Sequence, residues 1–121
     1  MATLTNNEIK LALSRNEDRT GRSVDTDTLI AQIGPRTVLG VSGGKIVGIQ
    51  DTEGYQIGII LPCGRNRAVE VVLNFLDLYD VRRVRLVSSG ENAGSVVVEH
   101  EVTDLYFDQL PEAVWSASCW K

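Results

Sequence analysis

Along the C-terminal two thirds of the chain, apolar and polar residues alternate with the period of β-strands. Four runs show this pattern, at residues 55–61, 67–73, 79–87 and 96–102. Strands of this kind bury one face against a second layer. Short turn-like segments separate them, whereas parallel strands would need crossover helices. The pattern predicts an α+β fold: a mainly antiparallel sheet of five or six strands, with short N-terminal helices and a C-terminal helix packed on one face.

Two short helices are predicted ahead of these runs. Thr5-Asn6-Asn7-Glu8 has the order of a capping box, which favours a helix that ends near Asn16. Residues 17–23 are polar and charged, and we expect a mobile loop there. The acidic Asp25 and Asp27 suit the first turn of a second helix, and Gly34-Pro35 ends that helix.

A hairpin is predicted between this second helix and the first of the four runs. Its strands are Val38–Val41 and Lys45–Ile49, and Ser42-Gly43-Gly44 forms the tight turn. A phosphate-binding P-loop would need glycine at position 39 and serine or threonine at position 46. The chain has Leu39 and Ile46 at these positions, so the turn is favoured.

The phase of each run predicts which side chains share a face of the sheet. In the first two runs the sets are Tyr55, Ile57, Ile59 and Leu61, and then Arg67, Val69, Val71 and Leu73. In the third run, Tyr79 and Val81 are out of phase with Val84 and Leu86. A bulge at Arg82-Arg83 would bring all four to the core side.

The last run predicts one face of Val96, Val98, His100 and Val102, with Glu99 and Glu101 on the other. A closing helix follows. Pro111 cannot donate a hydrogen bond to the preceding turn, so the helix either kinks there or starts there after a separate turn at residues 105–109.

The connection between the second and third runs, Asn74–Leu78, is too apolar for an ordinary solvent loop. We expect Phe75 or Leu76 to lie beneath the sheet, and Asp77 to accept hydrogen bonds from backbone amides of the turn. The functional alternative is a metal site at Asp77 and Asp80, but no third ligand is near in sequence. The turn interpretation is favoured.

The 121 residues fit a single domain, with a variable or mobile segment at residues 1–25. Apolar residues make up 43% of the chain and charged residues 23%, ordinary values for a globular protein. No apolar run approaches the roughly 20 residues that span a bilayer, and the first eight residues do not resemble a signal peptide. These features predict a cytoplasmic protein. Cys63 and Cys119 are expected to be reduced thiols, with Cys63 exposed in a turn.

The net charge of −4 is unevenly distributed. Residues 62–87 carry five arginines against three acids, and residues 88–121 carry six acids against one lysine. A solvated surface explains blocks of this size. The alternative is an arginine-rich sheet face that binds an anionic partner, such as nucleic acid or a nucleotide. Its candidate residues are Arg65, Arg67, Arg82, Arg83 and Arg85.

Nothing in the sequence points to catalysis, a cofactor or a bound metal. A hydrolase would need a base beside a nucleophile, for which the candidates are His100, Cys63, Glu99 and Glu101. The predicted strand places His100 and the two glutamates on opposite faces. We therefore expect a protein that is not an enzyme. Trp115 and Trp120 are candidates either for covering the sheet or for contacting a partner.

Several short motifs, in order, resemble a group of small uncharacterised proteins encoded by tailed bacteriophages, chiefly those of actinobacteria. The resemblance covers residues 29–119, with Pro111 where the group would have a small residue such as glycine. The motifs are Leu29–Gly34, Val41–Ile46, Asp77–Val81, Tyr106–Leu110 and Ala117–Cys119. It implies a phage origin and a location in the host cytoplasm, and it assigns no activity or site residue.

Two functions are expected on this basis. The first is a non-enzymatic accessory protein, acting through protein–protein interaction on host machinery or host defence, with homo-oligomer formation as part of that expectation. The second is binding of nucleic acid or a nucleotide by the arginine-rich face.

Overall fold

The computed structural model describes residues 21–51, 53–64, 66–87, 90–91 and 94–118. Within these residues, five antiparallel strands form one sheet in the order β1-β2-β3-β4-β5. The strands are β1 (Val47–Gln50), β2 (Gln56–Gly64), β3 (Arg67–Leu73), β4 (Tyr79–Leu86) and β5 (Val96–Leu105). The predicted α+β class with an antiparallel sheet is confirmed. The helix predicted at residues 5–16, together with Arg65, Cys119 and Trp120, lies outside the described residues.

In the described part of the chain, three helices accompany the sheet: α1 (Thr26–Ile33), α2 (Pro35–Ser42) and α3 (Leu110–Ala117). The Asp25 carboxylate accepts a hydrogen bond from the Thr28 amide at 3.3 Å, as an N-cap does, and Gly34 ends α1 as predicted. Pro111 lies in the first turn of α3, after a separate 3₁₀ turn at Phe107–Gln109. Of the two alternatives for Pro111, the helix start is confirmed.

The hairpin predicted around Ser42-Gly43-Gly44 is wrong in its first half, because residues 35–42 form α2 and not a strand. Pro35 occupies the helix N-terminus, where its fixed φ and missing N–H are tolerated. Gly43, with φ of 66°, is the left-handed C-cap, and its N–H donates to the Leu39 carbonyl. The valines that favoured a strand are the buried side of this helix, at Val38 and Val41.

All three helices pack on one side of the sheet, which we call the helix-side face. It carries Val69 and Val71 of β3 and Tyr79 and Val81 of β4, and these side chains join buried residues of every helix in one cluster. Residues directly opposite each other on neighbouring strands share a face, and β3 and β4 alternate without interruption. The face predicted for β3 is confirmed.

The other side of the sheet, the opposite face, has a second apolar cluster that contains no residue of the three described helices. Its members are buried: Ile49, Ile57, Ile60, Ala68, Val72, Val84 and Leu86. Val84 and Leu86 therefore do not share a face with Tyr79 and Val81, and β4 has no bulge in its pairing with β3. The predicted bulge at Arg82-Arg83 is wrong. Both faces of β4 are apolar, so its two apolar pairs can lie on different faces and no bulge is needed.

β2 departs from its predicted face and length. Its pairing with β1 shifts by one residue, so that Ile57 joins the opposite face while Ile59 and Leu61 lie on the helix-side face. The strand continues through Pro62 to Gly64, and Cys63 is buried in the core and not exposed in a turn.

β5 contains two shifts in its pairing with β4, each adding one residue to β5. Arg83 lies opposite His100 and Val84 opposite Val98, so Glu99 is the extra residue of the first bulge. The bulge changes the phase of the strand. His100 is on the helix-side face and Val98 on the opposite face, so the single face predicted for them is wrong.

Within the described residues, no helix is long and apolar enough to cross a membrane.

Candidate functional site

Three of the five candidate arginines converge on one carboxylate. The Nε atoms of Arg67 and Arg85 donate to the two oxygens of Glu99 at 2.7 Å and 3.1 Å. The Nε of Arg83 lies 3.3 Å from Glu99 Oε1. The hydrogen bonds from Arg67 first and then Arg85, together with the nearby charge of Arg83, lower the pKa of Glu99 against the opposing effect of partial burial. We call these four side chains the arginine cluster.

The register of the sheet explains this convergence. Arg67 on β3 lies directly opposite Arg85 on β4, and Arg83 is two residues away on the same face. The bulge of β5 then directs the carboxylate of Glu99 toward them. Glu99 and His100 consequently lie toward the same face, and the prediction that His100 and Glu99 lie on opposite faces is wrong. The prediction is correct for Glu101, which lies opposite Arg82 in the register and therefore on the other face from His100.

Arg82 lies on the opposite face, where its guanidinium pairs with Glu101. The same register row places the buried Glu70 of β3 directly opposite Arg82. The four described candidate arginines therefore divide between the two faces of the sheet, three to one. Because alternate residues of a strand point to opposite faces, adjacent arginines such as Arg82 and Arg83 cannot share one binding face without a bulge.

The residues considered for catalysis are not assembled into a site. Cys63 is buried on β2, and His100 is exposed on β5, with β3 and β4 between their strands. No group of three or more histidine, cysteine or acidic side chains is close enough to hold a metal ion in the described part of the chain.

An open groove of about 410 Å³ lies between the C-terminal end of α2 and β2. Leu39, Gly40 and Cys63 are among its lining residues, and Lys45 is the one charged residue among those described. The Trp115 ring packs close to Gly40, where an added Cβ would lie 3.5 Å from its Cζ3 atom. Trp115 thus covers part of α2 and is 38% exposed.

The apolar turn between β3 and β4 is built differently from its prediction. Asn74, and not Asp77, holds the backbone: its Oδ1 accepts hydrogen bonds from the amides of Leu76 at 2.9 Å and Leu78 at 3.2 Å. Asp77 has φ of 62° and pairs with Arg22 at 2.9 Å. Phe75 and Leu76 are 69% and 70% exposed, so neither lies beneath the sheet.

Large exposed apolar side chains gather at this end of the sheet. The β1–β2 turn, the β3–β4 turn and the segment after β5 meet there, because antiparallel register aligns the start of β2 with the ends of β3 and β5. Five side chains on these segments are 59% to 70% exposed. We call them the apolar end: Tyr55, Phe75, Leu76, Tyr106 and Phe107.

Each of the three segments is held by a side chain that accepts a backbone N–H near the exposed apolar residues. Asp51 accepts from Tyr55 at 2.9 Å, Asn74 from Leu76 at 2.9 Å and Gln109 from Tyr106 at 2.9 Å. The Asn74 amide group also donates to Asp80 and Asp104, which connects the turn to β5. The loops of the apolar end are therefore fixed by local hydrogen bonds while their apolar side chains lie in solvent.

The sequence indicates the apolar character of Asn74–Leu78 but not the exposure of its side chains. The residue that could have indicated this exposure is Asn74, at the first position of the turn. An asparagine side chain can accept hydrogen bonds from the amides of a turn, so the turn is stable without burial of the residues that follow. For Tyr106 and Phe107 the sequence leaves open a helix or a separate turn, and neither alternative predicts their exposure. Comparisons of the chain with protein-family models, curated proteins and solved structures gave no match.

Proposed function

We propose that the protein is a non-enzymatic interaction module that binds a protein partner through the apolar end. The observation that carries this proposal is the exposure of five large apolar side chains on three adjoining, hydrogen-bonded segments. Large exposed apolar side chains grouped at one end of a small protein are typical of a binding site for another macromolecule. Aromatic residues are also the type enriched at the centres of protein interfaces.

The fixed backbone of these segments supports binding more than a role in stability. A loop that stabilised the fold would bury Phe75 and Leu76, each worth roughly 2 kcal/mol when fully buried. Instead the hydrogen bonds of Asn74 hold them in water. Ordering the loops before association lowers the entropy lost on binding, which is the benefit that such preorganisation gives to a recognition surface.

The border of the apolar end is polar, as it is in most protein interfaces. Arg22 pairs with Asp77 beside Phe75 and Leu76, and Asp104 and Asp108 flank Tyr106 and Phe107. The resemblance of residues 29–119 to phage proteins is the basis for proposing a host or phage protein as the partner, met in the host cytoplasm.

The alternative, nucleic-acid or nucleotide binding by the arginines, has less support. Arg82 faces away from Arg67, Arg83 and Arg85, and each of these four is already paired with a glutamate. The net charge of −4 also works against binding to a polyanion.

The test is site-specific photo-crosslinking in the cells that make the protein. A benzophenone amino acid is introduced at Phe75 or at Phe107, and in a control variant at Leu39, which is 63% exposed on α2. We expect one protein to be joined to both apolar-end positions and not to Leu39. The same adduct at all three positions, or none at Phe75 and Phe107, would contradict the proposal.

A second measurement uses the purified partner so identified. The double variant Phe75→Ser/Leu76→Ser should retain its melting temperature, because both side chains are exposed, and should bind the partner at least about tenfold more weakly, as expected for loss of central apolar contacts. Native mass spectrometry of the protein alone provides the remaining control. A dimer that this double variant abolishes would assign the apolar end to self-assembly instead.

A further inference from the structure

β5 presents a long open edge at one side of the sheet. Its ten residues pair with β4 alone in the described sheet, and only Leu105 among them is buried. Near its start, Val97 and Val98 are 42% and 44% exposed. An edge strand offers backbone donors and acceptors that can pair with an added strand, and the peptide-binding sites of many domains use such an edge.

The hydrogen bonds at the start of β5 show which backbone groups point to the open side. The Leu86 N–H donates to the Asn66 carbonyl at 2.7 Å, away from β5, while the Val87 N–H donates to the Ser95 carbonyl at 2.9 Å. Leu86 and Val96, which lie opposite each other, are therefore a non-hydrogen-bonded pair. By alternation, the N–H and C=O groups of Val96 and Val98 point away from β4.

Residues that lie opposite one another on neighbouring strands form rows across the sheet. The rows that end at this edge carry different side chains on the two faces. On the helix-side face, Arg67, Arg85 and Val97 form one row. On the opposite face, Val84 lies beside Val98 and Leu86 beside Val96. A strand added outside β5 would continue these rows. Its residue opposite Val97 would extend the arginine row, and the two neighbours of that residue would extend the apolar rows.

Among the described residues, the arginine row and its neighbours carry more arginines than acidic side chains. Within the arginine cluster, three guanidinium groups share the single carboxylate of Glu99, and the buried Nε of Arg83 has no hydrogen-bond partner. Glu99 already reaches Arg67 across two strand spacings. An acidic residue on a strand added outside β5 would also be two strand spacings from Arg85. The long Arg85 side chain could therefore reach the added carboxylate.

We propose that the open edge of β5 accepts an extended segment of a partner protein in which an acidic residue lies between two apolar residues. The acidic side chain lies opposite Val97 and pairs with Arg85 and Arg83. The apolar neighbours lie opposite Val96 and Val98 on the other face. This interaction does not depend on the apolar end, and either surface can function without the other.

The test is a titration of the ¹⁵N-labelled protein, followed by NMR, with capped ten-residue peptides of threonine and serine that differ at the centre. The three centres are Val-Glu-Val, Val-Gln-Val and Val-Lys-Val. We expect the glutamate peptide to shift the amide signals of Val96 and Val98 and to bind about fivefold more tightly than the glutamine peptide, as for one partly exposed charge pair. The lysine peptide should bind most weakly.

Two changes separate backbone pairing from charge recognition. Val98→Pro removes an N–H that points outward and should abolish binding of the glutamate peptide, whereas Val98→Ala should keep it. If the proline variant loses its fold, N-methylation of the peptide on the residues that face β5 gives the same information. In the double variant Arg83→Gln/Arg85→Gln, the glutamate and glutamine peptides should bind equally, because the acidic side chain has lost both of its partners.

The outcomes are decisive in each direction. Equal affinities of the glutamate and glutamine peptides for the unchanged protein would overturn the choice of an acidic residue. No shift at Val96 or Val98 with any peptide at millimolar concentration would overturn strand addition. A dimer of the protein alone, abolished by Val98→Pro, would show that a second copy occupies the edge, and would overturn the proposed partner segment.

Discussion

The side-chain amide of Asn74 donates to the Asp104 carboxylate at 2.9 Å and so joins the β3–β4 turn to the second bulge of β5. The same amide donates to Asp80 at 3.0 Å, while Oδ1 accepts two amides of the turn. One side chain therefore sets the geometry of the turn and its position relative to the neighbouring strand.

Replacement of Asn74 by alanine should lower the free energy of unfolding by about 1–2 kcal/mol, since two turn amides lose their acceptor. Urea denaturation measures this change. Asp77→Gly is the matched control: glycine suits the φ of 62° and only an exposed ion pair is lost, so stability should change by less than about 0.5 kcal/mol. Equal effects of the two substitutions would show that Asn74 does not organise the turn.

The contribution of Glu99 to stability should depend on pH. Its pKa is lower in the folded protein than in the unfolded chain, so the stabilisation is present above the unfolded value and is lost as pH falls through the folded value. Glu99→Gln should lower the free energy of unfolding by about 1 kcal/mol at pH 7. This is the upper end of the contributions that partly exposed ion pairs make to stability, and it is expected because three arginines share the carboxylate. The difference between the two proteins should begin to shrink near pH 4, about the ordinary glutamate value, and should vanish as the pH falls through the lower value of the folded protein. A difference that persists unchanged at low pH would mean that the carboxylate charge is not its source.

Arg82 and Glu101 form one ion pair, but the two substitutions that break it should have unequal costs. Arg82→Gln also removes the cation that lies directly opposite the buried Glu70 in the strand register, so it should cost about 1 kcal/mol more than the loss of Glu101. Glu101→Gln removes a partly exposed partner and should cost less than about 1 kcal/mol. Thermal unfolding of both variants at pH 7 provides the comparison, and equal costs would indicate that Glu70 does not depend on Arg82.

Gly58 allows β2 and β3 to approach closely. A Cβ at this position would overlap the Val71 carbonyl oxygen and lie 2.9 Å from the Val72 Cα. Gly58→Ala should therefore destabilise the protein by about 3 kcal/mol through displaced backbone. Gly48→Ala is the control, since a Cβ added there would meet the flexible Gln56 side chain at 3.6 Å. A Gly58→Ala variant as stable as the Gly48→Ala variant would contradict this packing.

The features that local sequence determines were predicted well. The Asp25 cap, the end of α1 at Gly34 and the strand β3 each depend on a few adjacent residues, and all three are found. The start of α3 at Pro111 was one of two open alternatives, since proline is compatible with a first helical turn as well as with a kink.

The features that were missed depend on contacts distant in sequence. Val38 and Val41 have strand-like character, but they fit the buried side of α2 because Pro35 and Gly43 define a helix between them. The phase of Val84 and Leu86 suggested a bulge only because one apolar face was assumed. Exposure of Phe75 and Leu76 could not be read from their hydrophobicity, since it follows from how Asn74 binds the backbone around them.

Glu99 can be regarded as an insertion into an otherwise continuous strand. If it were absent, Val98 and His100 would be adjacent and would still lie opposite Val84 and Arg83, which are themselves adjacent. Strand pairing therefore does not need this residue, yet the three arginines of the cluster share its carboxylate. A chain lacking Glu99 is expected to keep every other strand pair of β5, while Arg67, Arg83 and Arg85 lose the carboxylate that they share. One added residue thus adjusts the charge of this surface without altering the architecture beneath it.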